Sequence, residues 1–282
     1  MCDHHHDDQH EPRDDARQTD RRGFLKAGVA AGATAALVAG AAPGSAAAAT
    51  DPYAPPAKGA LPETGFTLDR ERVALVITDP QIDFLSPKGV TWGVVGESVK
   101  EHGTVGNIKR LLSAAKGADM TVVISPHYYY PSDHRWRFGG PLEKLMHAIG
   151  MFDRPNPYDT SSFDGSGADF MPEYKDQIMD GKTIICSPHK VYGPEANDVV
   201  LQLRKARIDQ VILAGMSANL CVESHLRELL EQGFEVAVVK DATAAAKLPE
   251  GDGYLAAIIN FRYIANALWT TDEAIDKING KA

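Results

Sequence analysis

Apolar positions in this chain fall into short unbroken runs separated by stretches of helical spacing. The runs "RVALVITD" (72–79), "MTVVIS" (120–125), "TIICSP" (183–188), "QVILAGM" (210–216) and "EVAVVKD" (235–241) are rich in β-branched residues. Continuous rather than alternating apolarity marks strands covered on both faces. Between them, Val105, Ile108, Leu111, Leu112 and Ala115 give residues 98–116 a helical face. Val199, Val200 and Leu203 do the same over 196–207, and helices are also predicted over 219–232 and 253–262. "NALWT" reads as a short last strand, and "TTDE" (270–273) fits a capping box that opens a final helix. The stretch from His127 to Asp180 is irregular, rich in Gly, Pro, Asp and aromatics, with one helical piece near 141–149. Strands alternating with helices predict an α/β fold: a doubly wound, mostly parallel six-stranded sheet with helices on both faces. Working residues of such sheets gather at the carboxyl ends of the strands. That rule selects Asp79, His127, the Ser187–Lys190 segment and Ser217–Cys221.

The N-terminal part follows a different pattern. Residues 1–20 are polar and His/Asp-rich, and are expected to be disordered. "DRRGFLK" (20–26) then precedes a weakly apolar Ala/Gly run and "GSAAAAT". Paired arginines, a short apolar core and small residues predict a twin-arginine export signal over residues 1–49, cleaved around Ala47–Ala49. The apolar run is too short and too weakly apolar for a membrane anchor. His4, His5, His6, His10 and Cys2 would leave with the signal. A Pro-rich linker (50–68) leads to one domain (69–282), expected in the periplasm or outside the cell.

Charge narrows the partners. The chain carries 29 Lys/Arg and 38 Asp/Glu, net −9. Five and seven of these lie in the first 49 residues, so −7 remains on the mature part. A net acidic domain argues against nucleic acid or an anionic membrane as partner and leaves a small-molecule substrate. Two remaining cysteines in so large a domain are no disulfide framework. Cys186 sits in an apolar strand, where an inert buried thiol is expected.

Cys221 follows strand four, where a helix begins, and free N–H groups there favour a thiolate. "GMSAN" approaches the G-x-S-x-G elbow, but that arrangement needs a histidine well downstream, and the last one is His225. A papain-like pair fails in the same way. A base for Cys221 must therefore come from upstream, and Asp79 is the candidate. Lys190 adds a cation suited to holding a thiolate. His189 beside it is read as a backbone hydrogen-bonder. A thiol redox protein lacks C-x-x-C here, and a silent ligand-binding protein of the same fold is the other alternative.

"VITDPQIDFL", Lys190 and "VILAGMSANLCVESHLRELLEQGFEVAVVKDATAA" resemble the isochorismatase-like cysteine hydrolases, over about residues 70–281. The resemblance implies an Asp79/Lys190/Cys221 triad acting on a small amide, imide or carbamoyl compound through a thioester. It implies a non-proline cis peptide near Met216–Ser217, with the Ser217 and Cys221 N–H groups as oxyanion hole. It also implies a homo-oligomer. Asp79 is expected to have a raised pKa from burial, opposed by the Lys190 charge. Metal-dependent relatives carry D-x-H after strand two, where this chain has tyrosines in "SPHYYYPSDHRW". His127 and His134 alone are a poor zinc set, so no catalytic metal and no cofactor are expected. Gln81, Phe84, Trp92, His127, Tyr128, Trp136 and Tyr192 are candidate substrate contacts, although the aromatics suit packing of the irregular stretch equally well.

Overall fold

A computed structural model describes residues 51–159 and 161–281. The expected export signal over 1–49 lies outside the described residues. Six strands form one sheet: β1 (Val73–Thr78), β2 (Thr121–Ser125), β3 (Ile184–Ile185), β4 (Gln210–Met216), β5 (Glu235–Ala244) and β6 (Ala267–Trp269). Their order is β3-β2-β1-β4-β5-β6, and every neighbouring pair is parallel. The doubly wound sheet predicted from the apolar runs is present.

Strand parity separates two cores. Leu75, Ile77, Ile124, Ile212, Ala214 and Val239 face one side. There they meet α1 (Trp92–Glu101), α2 (Thr104–Gly117) and α7 (Thr271–Ile278). Ala74, Val76, Val123, Val211, Leu213 and Val238 face the other side. These pack on α4 (Val199–Lys205), α5 (Glu223–Glu231) and α6 (Gly253–Ile264). A further helix, α3 (Pro141–Ile149), lies in the irregular stretch. The strands read as continuously apolar because successive side chains enter different cores, both dry.

Three local departures from the sequence reading have physical causes. The single helix expected over 98–116 is two helices, broken at Gly103, whose φ of +62° is left-handed. Strand three runs over only Ile184–Ile185, because Pro188 has no N–H to give the ladder and pairing resumes at His189, whose N–H donates to Pro126 O at 3.0 Å. The proposed linker is partly docked: the Tyr53 hydroxyl donates to Asp252 (2.8 Å), and its ring meets Tyr254 edge-on. The capping box at Thr270 is present, with Glu273 returning to the Thr270 N–H at 2.7 Å.

The chain winds from β1 to β2 and β3 on one side, and from β4 to β5 and β6 on the other. The winding direction therefore reverses between β1 and β4. Loops leaving these two strands diverge and open a crevice at their carboxyl ends.

Candidate active site

Asp79 leaves β1 and Cys221 follows β4, so both stand at the reversal point. Asp79 has a φ of +46°, a conformation Asp and Asn tolerate better than most residues. Its N–H donates to Ser125 O at 3.0 Å, which carries the β1–β2 ladder one step further. After β4 the chain passes through the cis Met216–Ser217 peptide into a π-turn over Ala218–Val222, which runs directly into α5. The backbone N–H groups of Ser217 and Cys221 both act on the Cys221 sulfur so as to favour its thiolate.

Four buried residues converge here: Asp79, His127, His189 and Cys221 each bring a donor atom within 4.8 Å of the others. His189 Nε2 lies 2.7 Å from Asp79 Oδ1 and donates to the carboxylate. The other oxygen, Oδ2, has no hydrogen-bond partner. His127 Nε2 donates to the Lys190 carbonyl at 2.9 Å, leaving its Nδ1 unpartnered. His225 lies behind the cysteine: Nδ1 donates to Cys221 O (2.7 Å), and Nε2 meets Ser125 Oγ (2.8 Å). Asn197 donates to that same Ser125 oxygen, so the hydroxyl proton goes to His225 and fixes its tautomer.

Burial governs the electrostatics. It lifts the Asp79 carboxyl to about 6, with His127, the Cys221 thiol and His225 acting against it. Burial, then the Asp79 charge, pushes the Cys221 thiol well above its ordinary value, while the two backbone N–H groups act to lower it. Burial holds His127, His189 and His225 down at about 3, so all three are neutral at pH 7. The rise at Asp79 was expected, but the opposing groups are imidazoles and a thiol rather than Lys190.

Lys190 stands elsewhere. Its ammonium donates to Asp133 (2.6 Å) and to the Tyr128 carbonyl (3.0 Å), and sits 3.7 Å from the Tyr130 ring centroid. It makes no hydrogen bond to Asp79 or Cys221. The cause is geometric: the segment after β3 is extended and bridges His127 to His189, and neighbours in an extended chain face opposite ways. With His189 turned inward, Lys190 turns out. The sequence reading had His189 at a strand end but took it as a backbone hydrogen-bonder, and it missed Asp133 as the lysine's counter-ion. The facing of this pair is fixed by the bridge from His127 to His189, which the sequence does not display.

The suggested substrate contacts scatter. Gln81 is a fully buried clamp: Nε2 donates to His127 O (2.9 Å) and Ala168 O (2.8 Å), while Oε1 accepts from His127 N (2.9 Å). Phe84 packs edge-on against Phe152 in the core. Trp92 lies at an outer cleft with Glu97, Lys100 and Lys247. Tyr128 is buried beneath the Arg154 guanidinium. Trp136 borders a second cleft with His134 and His147, and His134 there bonds Asp153 (2.6 Å), apart from His127. Tyr192 remains beside the cysteine and His225. Among the described residues both cysteines are free, and burial raises the Cys186 thiol to about 12.

A doubly wound sheet with buried titratable side chains at its reversal point defines a three-layer α/β protein. The isochorismatase domain matches residues 73–273, and the chain belongs to the isochorismatase family of hydrolases. The ureidoacrylate amidohydrolase RutB of Variovorax paradoxus is 27% identical over 197 residues, 67% of this chain and 75% of that protein. YecD, an uncharacterized isochorismatase family protein of Escherichia coli O157:H7, is 45% identical over 49 residues, only 26% of its length. Among solved structures, a cysteine hydrolase from Pseudomonas syringae superposes with TM-score 0.65 at 20% identity, over 79% of this chain and 99% of that one. N-carbamoylsarcosine amidase from Thermoplasma acidophilum gives 0.51 at 19%, over 71% and 97%. At such identities the two structures establish the shared fold.

Proposed function

We propose that the protein hydrolyses a small amide, imide or carbamoyl compound through a thioester on Cys221, with Asp79 as base and His189 where a lysine was expected. The observation that carries this reading is the buried Asp79 carboxylate, one oxygen held by His189 and the other without a partner, clustered with the Cys221 sulfur. RutB is named as an amidohydrolase, which agrees with C–N cleavage.

The steps follow from charge. Asp79 takes the thiol proton as the sulfur attacks the substrate carbonyl carbon, so one negative charge moves from carboxylate to sulfur to oxygen and no net charge is created. A carboxyl near 6 is matched to accepting and returning a proton at neutral pH. The developing oxyanion takes the Ser217 and Cys221 N–H groups, the two backbone donors that favour negative charge at the sulfur. Protonated Asp79 then gives its proton to the departing nitrogen. Water, deprotonated by the same carboxylate, hydrolyses the thioester. His189 fixes the carboxylate orientation through Nε2–H and stays neutral.

The test combines a panel of small amides with intact-mass spectrometry. Wild type shows turnover and an acyl adduct on Cys221. Cys221→Ala loses both, His189→Gln loses at least about 10²-fold in kcat, and Lys190→Met keeps most of its activity. A Cys221→Ala enzyme as active as wild type, or Lys190→Met as damaged as His189→Gln, overturns the assignment.

A further inference from the structure

Beyond β2 the chain stays extended, bridging at His127 to His189 and at Tyr129 to Asp153. The Tyr129 N–H donates to Phe152 O (3.1 Å) and its carbonyl accepts from Arg154 N (2.8 Å), so its backbone is held on both sides. His127 and Tyr129, two residues apart, therefore face the same way, and their ring centroids stand 4.6 Å apart. Tyr128 faces the other way, beneath Arg154. The Tyr129 ring also meets His147 (4.4 Å) and Trp136 (6.0 Å), which line the second cleft. Tyr129 thus bridges that cleft wall and the imidazole that clusters with Cys221. Its side chain is fully buried, and its hydroxyl has no hydrogen-bond partner among the described residues. Burial, then the charge of Cys221, raises the hydroxyl's pKa, so it stays protonated and remains a donor. His127 Nδ1 is buried and unpartnered too. Because its Nε2–H is committed to the Lys190 carbonyl, the neutral ring leaves Nδ1 as an acceptor. A polar group buried bare costs stability, and a ligand that pairs it recovers the loss.

We infer that the Tyr129 hydroxyl and His127 Nδ1 form a subsite for a –CO–NH–CO– group, so that the substrate is an imide or an acylurea rather than a simple amide. Such a ligand presents three groups in a row: acceptor, donor, acceptor. The protein offers the complementary row. The Ser217 and Cys221 N–H groups take the scissile carbonyl, His127 Nδ1 accepts the N–H, and the Tyr129 O–H donates to the second carbonyl. All three protein groups are neutral, and a neutral ligand face pairs with them without burying a charge. A monoamide leaves the Tyr129 hydroxyl bare, and a site built to pair a polar group discriminates against the analogue that lacks its partner. The subsite rests on the placement of Tyr129 and His127, while cleavage there rests on the proposed cysteine mechanism. In that step the Cys221 sulfur bonds to the scissile carbon and the C–N bond breaks. The nitrogen takes the proton that Asp79 removed from the thiol, and the departing side becomes a primary amide or a urea whose carbonyl is still held by Tyr129.

Calorimetry on the full chain carrying Cys221→Ala compares succinimide with 2-pyrrolidinone, which lacks the second carbonyl. Succinimide binds, and Tyr129→Phe in the same background weakens it at least about tenfold, while 2-pyrrolidinone changes less than about twofold. Tyr129→Phe alone melts no lower than wild type, because its hydroxyl has no partner to lose. With Cys221 intact, Tyr129→Phe lowers kcat/KM for the imide by a similar factor. No succinimide binding, a Tyr129→Phe effect equal on both ligands, or a Tm lowered by several degrees overturns the subsite, whether or not the enzyme turns over other amides. Succinimide held through Tyr129 by a chain that forms no acyl adduct and turns over neither amide nor imide supports the subsite and counts against the proposed function.

Discussion

Asp79 combines a left-handed backbone, complete burial and a carboxyl lifted to about 6. A folded value above the unfolded one favours the fold only at low pH, and that contribution is lost as pH rises through about 6. At pH 8 the ionised, buried group therefore costs on the order of 2–3 kcal/mol. Asn tolerates the same backbone conformation, and its amide oxygen can still accept from His189. Asp79→Asn is expected to melt higher than wild type at pH 8, with the difference closing by about pH 4, and to lose at least about 10²-fold in kcat. Calorimetry at both pH values checks the first half. The acid and the cysteine were both legible, since each ends a strand with a clear apolar signature. His189 and Lys190 were not separable in that way: adjacent residues differ in facing by parity alone, and a two-residue strand gives no pattern from which to count.

Close approach of elements, rather than side-chain chemistry, sets the path of β4 into the site. Gly215 has a φ of +115°, and a Cβ there would stand 2.0 Å from the Thr78 carbonyl oxygen of β1. The β4–β5 register also shifts between Leu213 and Gly215. Gly106 in α2 has nothing within 4 Å of its added Cβ. Gly215→Ala is expected to destabilise by about 3 kcal/mol or more, a fall of roughly 6–12 °C in Tm. Gly106→Ala is expected to raise Tm slightly, since alanine is the better helix former by about 1 kcal/mol. Thermal melts of the pair separate backbone constraint from simple volume. The irregular stretch is organised by Asp83, which accepts from Phe152 N (2.7 Å) and Val90 N (3.3 Å) and leaves Gly167 no room for a side chain. Those links run across 69 residues of sequence in one case, so no local pattern announces them.

At the scale of the molecule, the three buried imidazoles dominate the acid response. Each is held near 3 against about 6.5 unfolded, so its stabilising contribution is complete above 6.5 and lost as pH falls toward 3. Asp79 works in the opposite sense, as one group against three. Unfolding near pH 5 is therefore expected to take up about two protons, and Tm to fall steadily from pH 7 to 5. Calorimetry in buffers of different ionisation enthalpy reads the proton count, and a Tm that is flat or rising over that range contradicts the assignment of neutral buried histidines.

Sequence alone determined the alternation of strands and helices, the parallel sheet, and the strand ends where Asp79 and Cys221 stand. It could do so because covered strands and one-sided helices leave periods in the chain that need no partner to be read. Tertiary structure decided which residue faces the thiol. It turned His189 inward and Lys190 out, and engaged the Gln81 amide with the backbone of His127 and Ala168. Those outcomes depend on register between strands distant in sequence, and on hydrogen bonds that only a folded backbone can supply.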